Sequence, residues 1–396
     1  MNDQYNDWLI ESSQSASGSV LREPDVNIIE DPVNEWKVRL RSCVDKKVVL
    51  SISEICDLLP ESFQDPAEIE VGFLNYQKVL WVNGKGGLYH SETGMVLNGS
   101  YLTRFPRERQ HPHLAEAWVE QMRPVSAYPS IDKCLYLPFA HCGNFGHFMT
   151  ETMAFLWILF QEDNFKYSGV PVLLSGCSSD QSLCSALASI LASKGCIPLL
   201  DEHLPHALCL NSVVVPQPSL SLQAKASSLH YMMTEKIADL LIGEHEVGEL
   251  MPSLNLEKIY VSRSELKGEV RRIEGEKVLE AELESLGWFI FHPQSYPLEA
   301  QIAIYRQARC IAGFEGSALH ALSFLGIVDL NVSVIMMGDN PSIDYFLQFR
   351  AQGFSGFFIA CTEVDQDDQR LPHIQRRLLR IEPKSIAFQV NNLSNL

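Results

Sequence analysis

Short apolar runs alternate with amphipathic stretches along most of this chain, and that alternation sets the predicted elements. Cys134–Leu137, Val170–Ser175 and Ser212–Pro216 are compact apolar runs of strand length. Between them, apolar residues recur at helical spacing from about His147 to Gln161 and from Gln181 to Ser193. A helix of mixed surface follows from about Lys225 to Gly243. The second half repeats the grammar, with strands at Lys258–Val261, Trp288–Phe291, Cys310–Ala312, Val332–Met336 and Phe357–Ala360. Its helices are predicted at Gly275–Leu286, Leu298–Gln307, Ser317–Leu325 and Ile343–Gln352. Strands alternating with helices imply parallel sheets joined by right-handed crossovers, so the predicted class is α/β.

Ahead of these repeats the texture differs. From Lys47 to Arg104 short alternating runs are broken by Gly, Asn and Pro, and Lys78–Val82, Asn83–Gly87 and Leu88–His90 read as a hairpin. The predicted organisation is a loose acidic segment over 1–35, then a small β-rich element with a first Rossmann-like domain over 36–245. The soft stretch Glu244–Glu249 is the expected boundary; a second Rossmann-like domain follows over 250–365, and a tail over 366–396 packs back. Two α/β halves of this kind are expected to face a central cleft that holds the ligand at the carboxyl ends of their strands.

Composition narrows the function. The chain has 396 residues, 46% hydrophobic and 20% charged, which fits two globular domains with substantial cores. A formal net charge of -18 argues against a general nucleic-acid binder and against attachment to anionic lipid by basic patches. A phosphate-bearing substrate then needs a local cluster of arginine and backbone donors. Met1–Glu11 lacks the basic and apolar regions of a secretory signal, and Met153–Phe160 falls far short of the ~20 residues that span a bilayer. The ten cysteines are scattered, mostly inside apolar runs and with no C-x-x-C pair, so reduced buried thiols and a cytoplasmic location are expected.

Chemistry concentrates in three places. Gly313-Phe-Glu-Gly316-Ser317-Ala-Leu-His320 follows a strand and opens a helix of small residues. Free amides and the helix dipole at such a start favour phosphate. Upstream, Tyr260-Val-Ser-Arg263 is another strand that ends in a fixed cation, and Arg271 and Arg272 lie close behind it. In the first half, Asn144-Phe-Gly-His147-Phe-Met-Thr-Glu151 follows a strand and a glycine loop. His147 and Glu151, four apart on a helix, share one face and form an acid–base or orienting pair. Two metal-like patterns read as surface loops: Asp365-Gln-Asp367 in an acidic run, and His111-Pro-His113. No serine elbow, Walker loop or H-E-x-x-H helix is present.

In order and spacing, Tyr260–Arg263, Arg271-Arg272-Ile273, Gly287-Trp288, Gln301, Ala308, Gly313-x-x-Gly316-x-x-Leu319 and Phe324-Leu325 resemble the catalytic domain of glycosyltransferase family 61. The Asn144–Glu151 segment resembles that family's Asn-x-x-His-x-x-x-acidic stretch, and the likeness covers roughly Lys133 to Ala360. It implies a GT-B-like bilobal fold and an inverting, metal-independent transfer from a nucleotide-diphosphate sugar, with no cofactor beyond that co-substrate. The implied acceptor is a glycan or lipid-linked glycan, in polysaccharide biosynthesis of the bacterial capsular or exopolysaccharide kind. No nucleic-acid partner is implied, and peripheral membrane contact is compatible with it. By that likeness Arg263, Arg271, Gly313, Gly316 and Ser317 face the donor diphosphate, and Asn144 and His320 lie on the acceptor or sugar side. The chain carries Glu315 where the family has His, and Glu274 where the family tends to have Asn.

Inverting transfer, by a hexosyl- or pentosyltransferase, needs a base for the acceptor hydroxyl and charge stabilisation of the departing diphosphate. Glu151, His147 and Glu315 are the candidate bases, with Glu151 preferred. Two other readings stand beside this one: a non-catalytic nucleotide- or glycan-binding relative, motivated by Glu315, and a metal-dependent GT-A-type transferase using Asp365 and Asp367.

Overall fold

The computed structural model describes residues 32–396 except 45–47, 61–62, 64, 85, 98, 101–102, 105–108, 111–122, 139–141, 162–166, 244–254, 268–271, 328–331, 340 and 366–376. The expected leader, the His111–His113 pair, the Glu244–Glu249 boundary, Arg271 and Asp367 lie outside the described residues. The chain divides into two compact units, one spanning Glu70–Ser221 and the other combining Glu30–Ile69 with Leu222–Leu396.

The first unit is built on a six-stranded sheet. Its order is Leu88–His90, Phe73–Val82, Ala207–Pro216, Ser130–Leu137, Pro171–Leu174 and Ile197–Leu200. The last four run parallel, and the first two join antiparallel. The predicted hairpin is therefore present but is no separate element, because its long strand pairs with Ala207–Pro216 from Phe73↔Pro216 to Val82↔Ala207. Trp81, Tyr136, Leu173, Leu210, Val213 and Val215 form one continuous core. Each such large buried side chain contributes roughly 1.5–3 kcal/mol.

The predicted long helix after Ser130–Leu137 is helical from Phe145 to Phe160 but is not a regular α-helix. One α-turn leads into a wide π-helical turn over Phe148–Thr152, and a 3₁₀ run covers Met153–Phe160. Every side chain from Phe148 to Phe160 is buried. A segment buried all round is held by burial rather than by an amphipathic stripe, so its winding adapts to the packing around it. Trp157 anchors it by donating its indole N–H to the Gln217 carbonyl at 2.8 Å.

The second unit carries five parallel strands with one antiparallel edge strand, in the order Val49–Ser51, Ser355–Ala360, Ser333–Gly338, Cys310–Phe314, Lys258–Val261 and Phe289–Phe291. Numbered along the chain, the parallel strands follow the doubly wound order 2-1-3-4-5. Tyr260, Ala312, Phe314, Ile335, Met337 and Ile359 turn to one face, against Leu279, Leu283 and Trp288. The C-terminal helix Pro383–Leu393 completes that layer with Ile386, Ala387 and Val390.

Two stretches expected with the first half fold in this unit instead. Pro32–Val44 and Ile52–Cys56 are helices of the second unit, the latter closed by a reciprocal Ser51–Glu54 capping box. Ser228–Ile242 also belongs here: Thr234 donates its hydroxyl to the Ser323 carbonyl at 2.7 Å, and Asp239 pairs with Arg306 at 2.7 Å. Among the described residues no helix is long and apolar enough to cross a membrane.

Candidate functional site

In a doubly wound sheet the ligand crevice opens where strand order reverses, between the first and third strands in chain order. Here those strands are Lys258–Val261 and Cys310–Phe314, paired in register from Lys258↔Cys310 to Val261↔Gly313. The residues just past their carboxyl ends are Ser262-Arg263 and Glu315-Gly316-Ser317. The Cys310 strand runs two residues further than its sequence pattern suggested, so Gly313 lies buried within it and the turn narrows to Glu315-Gly316.

Arg263 crosses to that turn. Its guanidinium donates to the Glu315 carbonyl, and a Cβ added at Gly316 would stand 2.8 Å from the Arg263 Nη1 atom. The two elements predicted to share one anion site therefore adjoin. A side chain at 316 would push the guanidinium aside. Ser317 is exposed at the start of the 3₁₀ run Ser317–Leu325.

The backbone beneath Arg263 is fixed by Glu276, a residue the sequence pattern did not single out. Its Oε1 accepts from the Arg263 amide at 2.9 Å and from the Tyr260 hydroxyl at 3.0 Å. Glu276 is 5% exposed, and burial raises its carboxyl above the ordinary value, with the Arg263 and Tyr260 bonds pulling the other way. The one sequence clue was an acidic residue directly after Gly275 at a helix start.

Glu315 is turned to structural use. Its Oε1 accepts from the Ser342 amide at 2.7 Å, and its own amide donates to Met337 at 3.0 Å. The carboxylate also fills the space over Gly338, where an added Cβ would lie 2.5 Å from Oε2. Tyr345, another residue the sequence pattern did not single out, borders the same turn. Burial chiefly and then Glu315 push its phenol up, while Arg263 and a hydrogen bond from the Gly316 amide act against them. His320 stacks on the Tyr345 ring with centroids 4.6 Å apart, and its Nδ1 lies 3.1 Å from Gln348 Oε1.

The second constellation lies in the first unit. Asn144 caps the helical segment, its Oδ1 accepting from the His147 amide at 3.2 Å. His147 Nδ1 and Glu151 Oε2 are 2.7 Å apart, the i,i+4 contact the spacing predicted. The Glu151 side chain is 6% exposed and that of His147 34%. The carboxylate thus lies inside and the imidazole faces outward. Thr150 donates to the Gly146 carbonyl at 2.9 Å and helps shape the wide turn.

The remaining predicted residues have other surroundings. Arg272 lies in the Arg272–Glu274 strand, and Glu274 there pairs with Arg380 at 2.9 Å on the surface. Asp365 ends a short strand opposite Arg377. Among the described residues no group of three or more His, Cys, Asp or Glu could hold a metal ion.

The second unit thus sets Arg263 against a glycine turn at its sheet's switch point, and the first unit holds a histidine–carboxylate pair at a helix start. Residues 145–327 match the family described as Glycosyltransferase 61, a span that contains His147, Glu151, Arg263 and the Gly313–Ser317 turn. Over that span the chain is similar to glycosyltransferase family 61, and the match supports a glycosyltransferase. No curated protein matches it.

Proposed function

We infer that this glycosyltransferase takes its sugar from a nucleoside-diphosphate donor whose diphosphate is held by Arg263 and the Glu315-Gly316-Ser317 turn. The observation that carries this reading is the approach of the Arg263 guanidinium to Gly316 at the switch point of a 2-1-3-4-5 sheet. Two Rossmann-like units per chain are the parts a GT-B-type enzyme requires, and such enzymes stabilise the leaving group with arginine and backbone amides instead of a metal.

The proposed chemistry is an inverting displacement. The acceptor hydroxyl gives its proton to His147, and its oxygen attacks the anomeric carbon opposite the leaving group. The bond from that carbon to the diphosphate oxygen breaks, and the electron pair settles on the diphosphate beside Arg263. Glu151, within 2.7 Å of Nδ1, fixes the tautomer in which Nε2 carries the accepting lone pair, and steadies the imidazolium once it forms. His147 rather than Glu151 is therefore the proposed base, because the carboxylate lies beneath it and is nearly inaccessible. The acceptor proposed is a glycan or lipid-linked glycan. Glu315, which motivated the non-catalytic alternative, hydrogen-bonds to Ser342 and so serves the turn without acting on the donor.

A panel of nucleotide-sugars with glycan acceptors, assayed in EDTA for nucleoside diphosphate release, tests this. Release with at least one donor is expected, with a product of inverted anomeric configuration. Activity only with added Mn²⁺, or retention of configuration, would overturn the mechanism.

A further inference from the structure

Three thiols far apart in sequence converge at the carboxyl ends of the first unit's parallel strands. Cys177 Sγ lies 3.3 Å from Cys142 Sγ and 3.6 Å from Cys184 Sγ. Cys142 precedes Gly143 and the capping Asn144, Cys177 follows the Pro171–Leu174 strand, and Cys184 is the first residue of the Cys184–Ser193 helix. A backbone bond from the Leu183 amide to the Cys142 carbonyl, 3.0 Å, already joins the two segments. A disulfide needs its sulfurs about 2.05 Å apart. Both pairs of sulfurs are in contact, the approach that thiol–disulfide exchange needs.

We propose that Cys142, Cys177 and Cys184 form a thiol–disulfide modification site, oxidised by a small disulfide such as glutathione disulfide to a Cys142–Cys177 bond. Cys184 is the entry point because it is 6% exposed, against 1% for Cys177 and 0% for Cys142. Its thiolate attacks the oxidant's S–S bond, giving a mixed disulfide and one glutathione thiolate. Cys177 then attacks Cys184 Sγ and expels the second glutathione. Cys142 next attacks Cys177 Sγ and returns Cys184 to the thiol. In sum two thiols lose two electrons and two protons, and the oxidant's disulfide becomes two thiols. The bond from Cys177 to Cys142, then burial, hold the Cys177 thiol protonated, with Asp201 adding to the effect, so the exchange is slow. The product ties the loop carrying the Asn144 cap, and hence the start of the His147–Glu151 turn, to the edge of the neighbouring helix. It goes beyond the proposed activity and does not rest on it.

The full-length protein, equilibrated in glutathione buffers of increasing oxidised fraction and then acid-quenched and alkylated, is mapped without reduction. The expected result is a cross-linked peptide pair joining Cys142 to Cys177, a mass loss of about 2 Da without retained glutathione, and Cys184 found alkylated. Dithiothreitol reverses it. A cross-link closing this loop is expected to raise Tm by roughly 5–15 °C, and a Cys177→Ala variant shows no such rise. Cys184→Ser slows formation severalfold but yields the same cross-link. Cys142 and Cys177 both alkylated at the most oxidising poise, or bonded to other cysteines, overturns the proposal, and this readout on the unaltered protein needs no variant to fold.

Discussion

The guanidinium of Arg263 occupies the space that a side chain at Gly316 would need, 2.8 Å from the Cβ such a residue would carry. Arginine and glycine follow two neighbouring parallel strands, and their meeting sets a cation against the glycine turn. A Gly316→Ala substitution meets only the mobile end of that arginine, so stability is expected to change by less than about 1 kcal/mol. Donor affinity is expected to fall about tenfold as the guanidinium is pushed aside, a loss of about 1.4 kcal/mol. Chemical denaturation and donor titration of the same variant check the two halves separately.

Glu315 and Gly338 form a second close pair, and they separate a structural carboxylate from a catalytic one. Glu315→Gln keeps an oxygen for the Ser342 amide, so turnover is expected to survive and diphosphate to bind a few-fold more tightly as a nearby negative charge is removed. Gly338→Ala forces the carboxylate off that amide and is expected to cost about 1–3 kcal/mol. Loss of turnover in Glu315→Gln with donor binding intact would return Glu315 to the list of bases.

His147→Gln is expected to lower kcat by about 10²–10⁴-fold while donor affinity stays within about twofold. Glu151→Gln, which leaves the imidazole in place but without its orienting charge, is expected to lower kcat less than His147→Gln does, with KM and Tm unchanged. A fall in kcat at constant Tm distinguishes orientation from mere packing, because a loosened fold would lower Tm as well.

Acid sensitivity of the second unit is expected to centre on His230. Burial chiefly, then His320, push its imidazole down from 6.5 to about 3. Folded, it stays neutral; unfolded, it takes a proton first, so stability is full above pH 6.5 and falls as pH drops toward 3. The slope is about 1.4 kcal/mol per pH unit across the upper part of that window, before carboxylates titrate. His230→Gln is expected to flatten unfolding midpoints between pH 6.5 and 5. An unchanged slope would assign the acid sensitivity to other groups.

Much of this arrangement was legible in local sequence. Strands such as Lys258–Val261 and Cys310–Phe314 are short apolar runs because both faces of a parallel sheet are covered. Arg263 and the glycine turn could be paired in advance, since both follow parallel strands, and His147–Glu151 because i,i+4 contacts are local. What escaped depends on distant partners. Ile197–Leu200, a short edge strand containing Pro198, carries little strand signature. Phe73–Val82 gives no hint that it pairs with Ala207–Pro216. The Phe148–Phe160 segment is buried all round, so its spacing could not reveal the change from π to 3₁₀ winding. Glu315 meets Ser342 across 27 positions, and Cys177 meets Cys142 across 35. Scattered cysteines in a linear chain therefore gave no sign of a cluster.

Calorimetric titration of nucleoside diphosphates in EDTA, with unaltered protein beside Arg263→Ala, tests the central claim most directly. At least one nucleoside diphosphate is expected to bind with no divalent cation present, and Arg263→Ala to weaken it at least about tenfold, 1.4 kcal/mol or more. Equal affinity in the two proteins, or binding seen only after Mn²⁺ is restored, would contradict an anion site made by this arginine and this turn.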